Sequence, residues 1–446
     1  MSAAAGGAER GIGLATMTAL LVSNMVGTGV FTSLGFQARD LHTTPALLAL
    51  WVLGGVVALC GALAYAELGA MLPRSGGEYV YLGHAYHPLA GFLGGWVSMT
   101  AGFAAPIALA GIAFGRYVAA VAPVDPLLAS LGLVGGAALL HGTDLVMGRR
   151  VQVALTAANL LLILAFVAAG LARGTQPVPV TPTAASWREI ASPAFAVSLI
   201  YVSYAYTGWN ATGYVAGEIR EPRHTIPRAL AAGTLTVTAL YVLLNYTFLR
   251  TVPLGALAGV VEVGALSATR AFGPVGGVVT SVTIAVLLTA TVSAMILSGS
   301  RVTQAVGADL GRARWLGART AGGVPRNAVA LQALLVAALL LTNSFERVMA
   351  YTGFTLQLMS LLTVLGLFVL RRRAPDAPRP YRAWGYPVTP LVYAGVSAWS
   401  LAFVLAERPA ESLAGLATVL VGVPVWWLAR GARRPADRAA DRPVDR

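Results

Sequence analysis

The sequence predicts an all-α polytopic membrane protein, and three observations lead to that class. Of the 446 residues, 57% are hydrophobic and only 11% are charged, whereas soluble domains carry about 25% charged residues. Apolar runs long enough to cross a bilayer recur along nearly the whole chain. Two of these runs contain glycines and polar side chains at mid-membrane depth, which predicts that two of the helices are broken.

Twelve spans are predicted, each an apolar run between polar or proline-containing links. They cover Ile12–Ala38, Thr44–Leu72, Leu89–Val121, Pro126–Val146, Val151–Ala172, Pro193–Ile219, Arg228–Val252, Pro274–Val306, Asn327–Thr342, Arg347–Leu370, Val388–Ala406 and Ser412–Ala429. The first ten form two sets of five, at 12–173 and 191–371, and the last two lie within 385–430. Residues 1–11 precede them, and the tail 431–446 mixes arginine with Asp, Ala and Pro, which predicts disorder.

The net charge of +13 comes from 31 basic residues, all of them arginine. In span order, 23 of these 31 arginines fall on one set of links and tails and 8 on the alternate set. This asymmetry follows the positive-inside rule and predicts a multi-pass protein of the cytoplasmic membrane with both termini in the cytoplasm. The charge is therefore assigned to the membrane surface rather than to nucleic acid.

The first predicted break lies in the run Ser23–Phe31, at Met25, Val26, Gly27, Thr28 and Gly29. Two glycines that flank a threonine make a continuous helix costly there. The freed backbone groups must then face protein or a polar cavity, and amides at the start of a half-helix bind anions such as a carboxylate. The alternative is that the two glycines only permit close helix packing.

The second predicted break lies in the sixth span, where Tyr201–Tyr214 mixes aromatic, hydroxyl and amide side chains with two glycines. The span is followed by Gly217–Arg228, which is predicted to be an internal loop. The two breaks fall at the first position of each set of five spans. Corresponding breaks in two halves are typical of transporters built from inverted repeats.

With both breaks identified, the chain resembles the amino acid–polyamine–organocation transporters, most closely the L-type amino acid transporter branch. The likeness covers about Gly11 to Trp427. The matching segments are Met25–Phe31, Tyr65–Leu68 with Pro73–Tyr79, Tyr204–Asn210 with Gly217–Pro227, Ser298–Val302, and Arg371–Pro387.

The resemblance implies the leucine-transporter fold, with a 5+5 inverted repeat, two added helices and transport by alternating access. It implies that the amides from Val26 to Gly29 bind a substrate carboxylate. The resemblance likewise assigns the substrate ammonium to the carbonyls of Tyr204, Ala205 and Thr207. Tyr204 matches an outer gate, while Trp209 and Asn210 match the side-chain pocket. The expected substrate is a neutral, zwitterionic amino acid, because neither broken segment carries a charged residue.

Coupling is left open by the sequence. Many relatives have a lysine in the fifth helix, where this chain has Asn159, which cannot titrate. Thr291 and Ser293 could ligate a cation or bond back to helix carbonyls. Glu67 could pair with an arginine or gate the inner vestibule. Ion-independent exchange is favoured; the alternatives are a proton- or sodium-coupled symporter of amino acids or amines, or a non-transporting receptor.

The sequence does not favour an enzyme, a cofactor or a metal site. The spans hold no His, Cys and Glu set with catalytic or metal-ligand spacing, and the five histidines lie near span ends or in links, where a solvated or interfacial ring is expected. No GxxxxGK[ST] loop for ATP occurs, so energy is expected from gradients or exchange. Cys60, the only cysteine, lies within a span, so no disulfide-linked partner subunit is expected.

Overall fold

A computed structural model describes residues 12–27, 29–72, 76–142, 149–211, 219–309, 314–320, 323–342 and 344–429. These residues form α-helices joined by short links, and the one β-bridge among them pairs Ile12 with Ile219. The predicted N-terminal segment 1–11 and the predicted disordered tail 431–446 lie outside the described residues.

The first half of the chain contains ten of the helices. They are α1 Leu14–Met25, α2 Gly29–Asp40, α3 Thr44–Met71, α4 Glu78–Ala85, α5 Pro88–Val97, α6 Ala105–Ala119, α7 Pro126–Gly142, α8 Arg149–Arg173, α9 Ala184–Ile190 and α10 Pro193–Ala205. A π-helical segment, Ser98–Ala104, joins α5 to α6 without a gap, so the predicted third span is one continuous rod.

Eight described helices follow in the second half. They are α11 Pro222–Thr251, α12 Leu254–Leu257, α13 Val263–Asp309, α14 Arg314–Gly317, α15 Arg326–Leu340, α16 Phe345–Arg373, α17 Val388–Glu407 and α18 Pro409–Ala429. Seven helices of the described chain are long and apolar enough to cross a membrane, and the bent pair α1–α2 brings the number to eight. The protein is therefore an all-helical, polytopic membrane protein.

The two broken segments lie at the centre of the bundle. Helix α1 packs against α11, α2 packs against α10, and α3 contacts α10, α11 and α17. The residues of α2 from Gly29 to Ala38 are all buried, including the polar residues Thr32, Ser33 and Gln37. A helix buried all round with polar groups belongs inside the bundle, away from lipid.

One helix begins earlier than the hydropathy pattern predicts, and another predicted span is preceded by an additional helical segment. The predicted internal loop up to Arg228 is helical from Pro222, because proline is well placed in the first turn of a helix. Helix α13 includes a segment, 263–272, that precedes the predicted eighth span. Gly273 is non-helical, with φ of 78° and ψ of −176°, so it divides α13 into two helices, and the second begins at the predicted residue, Pro274.

Candidate functional site

The two broken segments touch each other. Helix α1 ends at Met25, α2 begins at Gly29, and their axes differ by 44°. A Cβ on Gly29 would lie 2.8 Å from the Cβ of Ala205, where α10 ends. Gly208 has φ of +118°, and a Cβ there would lie 2.6 Å from the carbonyl oxygen of Asn24. The glycines of each break thus allow the other break to approach.

Tyr241 of α11 connects the two breaks. Its hydroxyl oxygen lies 2.6 Å from the carbonyl oxygen of Met25 and 3.1 Å from that of Ala205. The side chain is fully buried and packs edge-on against Trp51, with ring centroids 5.4 Å apart. These carbonyls belong to the last turns of α1 and α10, where no helical amide follows to satisfy them. The sequence analysis missed Tyr241, because nothing local distinguishes a tyrosine that bonds across 216 positions.

Some backbone groups predicted to bind substrate already have partners inside the protein. The amide of Val26 donates to Val22, and the carbonyl of Tyr204 accepts from both the amide and the hydroxyl of Thr207. A carbonyl oxygen has two lone pairs, and these two bonds use both on Tyr204, so a substrate ammonium must displace one of the two donors to bind there. Thr28 lies outside the described residues.

Gly27 differs from Gly29 in its surroundings. The nearest heavy atom that a Cβ on Gly27 would meet is the carbonyl oxygen of Met25, at 4.0 Å. Its φ is not in the left-handed region. Neither close packing nor backbone conformation therefore requires a glycine at this position, while open space beside it leaves room for a ligand to approach the backbone.

A small cavity of about 30 Å³ lies beside the second break. Three residues predicted to bind substrate line it, namely Tyr204, Thr207 and Trp209. The other lining residues come from α3, α10, α16, α17 and the turn after α10: Gly54, Val57, Ala58, Ser203, Tyr206, Gly353, Leu356, Gln357, Ser360 and Tyr393. The predicted residues Met25, Val26, Gly27, Gly29, Ala205 and Asn210 do not line it. Its volume admits a water molecule or two, so an amino acid can bind there only after the surrounding helices separate.

Trp209 is held on one side of this cavity by aromatic contacts. Its ring packs edge-on against Tyr65 at 4.6 Å and against Tyr393 at 6.4 Å. The Tyr65 hydroxyl donates to the Glu78 carboxylate at 2.6 Å, and that of Ser360 donates to the same oxygen at 3.2 Å. Burial raises the pKa of Glu78 on the short helix α4, and these two hydroxyls oppose the shift.

Of the residues predicted to act in coupling, Ser293 and Thr291 both have partners. The Ser293 hydroxyl lies 2.7 Å from Nε2 of His141, and that of Thr291 donates to the carbonyl of Leu287 one turn earlier. His141 is buried, with 4% of its surface exposed, so the expectation of a solvated or interfacial ring is wrong for this histidine. The side chain of Asn159 lies outside the described residues.

Glu67 forms ion pairs. Its carboxylate accepts from Nε and Nη2 of Arg371, at 2.9 and 2.6 Å, and from the amide of Ala383 at 2.7 Å. Nε of Arg379 lies 3.5 Å away. Because the carboxylate is fully buried, these partners supply the charge compensation that burial demands. Glu67 thus ties α3 to the connector between α16 and α17.

Comparison with known proteins places the chain among transporters. A family model described as amino acid permease matches residues 12–423. The serine/threonine exchanger SteT of Bacillus subtilis is 27% identical over 94% of this chain and 97% of its own length. Two mouse proteins are each 28% identical over 94% of this chain and 81% of their own lengths. They are the large neutral amino acids transporter small subunit 2 and the Asc-type amino acid transporter 1.

Proposed function

The chain belongs to the amino acid permease family, and from this we propose that it is a secondary transporter that moves neutral amino acids across the cytoplasmic membrane by alternating access. The family relationship is the expected one, with the amino acid–polyamine–organocation superfamily, and it makes the protein a transporter rather than an enzyme. The observation that carries the substrate proposal is the contact between two broken helices, bridged by Tyr241, beside an uncharged cavity.

The cavity favours a neutral substrate side chain. Its lining includes hydroxyls, one amide and aromatic rings but no charged group. A charged side chain brought into it would lose its hydration without gaining an ionic partner, at a cost of several kcal/mol. The relatives whose names state a substrate point the same way, since they are a serine/threonine exchanger and a large neutral amino acids transporter.

The substrate backbone is proposed to bind at the breaks, as the resemblance implies. The carboxylate would approach Gly27 and the first amides of α2 at Gly29, where the helix dipole favours an anion. The ammonium would bind the carbonyls of Tyr204, Ala205 and Thr207. Trp209 and Asn210 would contact the side chain, and Tyr204 would close the outer side.

The proposed architecture is the leucine-transporter fold with twelve spans. Seven candidate spans, the bent pair α1–α2 and four shorter apolar helices fall in the order of the twelve predicted spans. The breaks occupy the first and sixth of these, which supports two inverted sets of five at 12–173 and 191–371 and two added helices at 385–430. The excess of arginine on alternate links supports cytoplasmic termini.

For coupling, we favour exchange that does not depend on sodium. The hydroxyls that could form a sodium shell are engaged, Ser293 with His141 and Thr291 with a helix carbonyl. The buried contact between His141 and Ser293 favours proton coupling as the second candidate, because histidine is the side chain that titrates nearest neutral pH. Cys60, the only cysteine, is buried in α3, which argues against a disulfide-linked partner subunit.

The test is a counterflow panel in proteoliposomes preloaded with one neutral amino acid. We expect labelled serine, threonine or leucine to accumulate above empty liposomes, equally with sodium or choline outside. Arginine or glutamate carried as well as the best neutral substrate would overturn the neutral class. Saturable binding without accumulation in any gradient would favour the receptor alternative, and dependence on an imposed pH gradient would favour proton coupling.

A further inference from the structure

A second, larger cavity lies at the end of the bundle that the arginine distribution places in the cytoplasm. Its volume is about 350 Å³, within the range of roughly 300–1,000 Å³ typical of small-molecule sites. The first turns of α11 form one wall, and the connector between α16 and α17 forms the other. Neither segment contributes to the cavity beside Trp209.

Basic side chains dominate this cavity. Arg223, Arg228, Arg379 and Arg382 line it together with His224, and no acidic residue does. Across the described residues, the ion pairs of arginine with a carboxylate involve Arg39, Arg371, Arg379 and Arg408. Among those residues, then, three of the four arginines of this cavity have no carboxylate partner.

One of the four arginines is built into the wall. Only 5% of the Arg379 side chain is exposed. Its guanidinium donates to carbonyls at the end of α16, including that of Ala374 at 2.7 Å. The nearest carboxylate, Glu67, is already shared with Arg371 and with the Ala383 amide. Arg379 therefore adds fixed positive charge that the surrounding protein only partly balances.

The start of α11 gives a second, independent indication that this cavity suits an anion. The amino end of a helix carries partial positive charge and favours acidic groups. The first turn of α11 contains none, and the acidic side chain of the N-cap residue, Glu221, makes no capping hydrogen bond. It contains Arg223 and His224 instead, both exposed towards the cavity that they line. Basic groups at this end oppose the helix dipole, and an anion bound beside them would offset that repulsion.

The position of the cavity among the candidate spans, and the residue at its rim, indicate the source of the anion. Three candidate membrane spans meet here, at the start of α11, the end of α16 and the start of α17. Trp384 stands at the rim with 51% of its surface exposed. Its amide donates to the Tyr381 hydroxyl and its carbonyl accepts from Thr389, so its backbone is fixed. Tryptophan is enriched at the level of lipid headgroups.

From these observations we infer that the cavity binds the phosphate of an anionic membrane lipid on the cytoplasmic side. Arg228 and Arg382 bind the phosphate from opposite walls, since guanidinium groups donate paired hydrogen bonds to phosphate oxygens. The amino end of α11 and Arg379 add positive electrostatic potential, and Trp384 packs where the lipid headgroup meets the acyl chains. Basic cavities between spans on this side of a membrane are suited to such headgroups.

The test is a lipid titration of the purified, delipidated protein followed by native mass spectrometry. Phosphatidylglycerol is the probe, and phosphatidylcholine, which carries no net charge, is the comparison lipid. We expect one saturable phosphatidylglycerol site, weakened about tenfold or more in the Arg228→Gln, Arg382→Gln double variant. Arg372→Gln is the matched control, since Arg372 is an exposed arginine at the end of α16 that does not line the cavity.

Each other outcome has a defined meaning. An equal loss of phosphatidylglycerol affinity in Arg372→Gln would show that the lipid is attracted to surface arginines in general, and would overturn the site. In another outcome, inorganic phosphate or glycerol 3-phosphate raises the thermal midpoint as much as phosphatidylglycerol does at the same concentration. That result would assign the cavity to a soluble anion and overturn the proposal of a lipid ligand. Equal binding of phosphatidylcholine would overturn the charge argument. The single Arg382→Gln variant on the exposed connector repeats the test if the double variant unfolds. None of these readouts depends on which amino acid is transported.

Discussion

The two glycines of the first break make separable predictions about packing and ligand binding. In Gly29→Ala, the new Cβ would lie 2.8 Å from the Ala205 Cβ, whereas carbon atoms pack at about 3.5–4.0 Å. The two breaks must then move apart by about 1 Å, and overpacking of this kind costs roughly 1–3 kcal/mol. In Gly27→Ala the Cβ enters open space, so the free energy of unfolding should change by less than about 0.5 kcal/mol.

The assay combines thermal unfolding in detergent with substrate binding and counterflow. Gly29→Ala should lower the thermal midpoint. Gly27→Ala should keep it and weaken substrate binding at least about tenfold, or about 1.4 kcal/mol, because a methyl group would occupy the approach to the backbone amides. Gly135→Ala is the matched control: as at Gly27, a Cβ on this glycine of α7 would meet no heavy atom closer than 4.0 Å, but Gly135 is exposed on the outside of the bundle.

Two results would refute this reasoning. Wild-type substrate affinity in Gly27→Ala would remove the carboxylate from the first break and leave only helix packing, at Gly29, as a role for these glycines. An unchanged thermal midpoint in Gly29→Ala would show that the two breaks are not in contact in the purified protein. If Gly135→Ala also lost substrate affinity, the effect could not be ascribed to the break.

Three further predictions concern the buried polar contacts. Tyr241→Phe should lower the free energy of unfolding by roughly 1–3 kcal/mol, measured by denaturant titration, and an unchanged value would mean that its hydroxyl does not join the breaks. Glu67→Gln should lower the free energy of unfolding by roughly 3 kcal/mol. Arg371→Gln should cost less in the Glu67→Gln background than in the wild-type protein, and equal costs in both backgrounds would argue against the ion pair. Ser293→Ala should release His141 while substrate binding stays the same in sodium and in choline, and a wild-type sodium response of about tenfold that this variant abolishes would restore the sodium shell.

The first break could be predicted because its cause is local. A Gly-Thr-Gly run in hydrocarbon is costly to keep helical, and α1 does end at Met25 while α2 begins at Gly29. The second break has the same kind of local signal, and α10 ends at Ala205. Both predictions rest on backbone preferences that residues carry with them wherever they are placed.

Contacts between distant segments could not be predicted in this way. Glu78 lay within a recognised segment, yet its bonds to Tyr65 and Ser360 depend on how α3, α4 and α16 pack. The start of α11 was misplaced for a different reason. Hydropathy identifies the part of a helix that lies in hydrocarbon, and α11 extends beyond that part by polar turns. These turns were therefore predicted to be a loop, and the cavity that Arg223 and Arg228 line could not be predicted.

The contacts at the breaks also indicate how a substrate can open them. The Tyr241 hydroxyl donates to the carbonyls of Met25 and Ala205, and the Thr207 hydroxyl donates to that of Tyr204. These bonds keep buried polar groups satisfied without a ligand, which would otherwise cost roughly 1–3 kcal/mol each. Under the proposed assignment, a substrate ammonium replaces such donors one for one. The exchange of one hydrogen bond for another is close to neutral, so the breaks can separate around a substrate without ever exposing an unpaired carbonyl to the membrane interior.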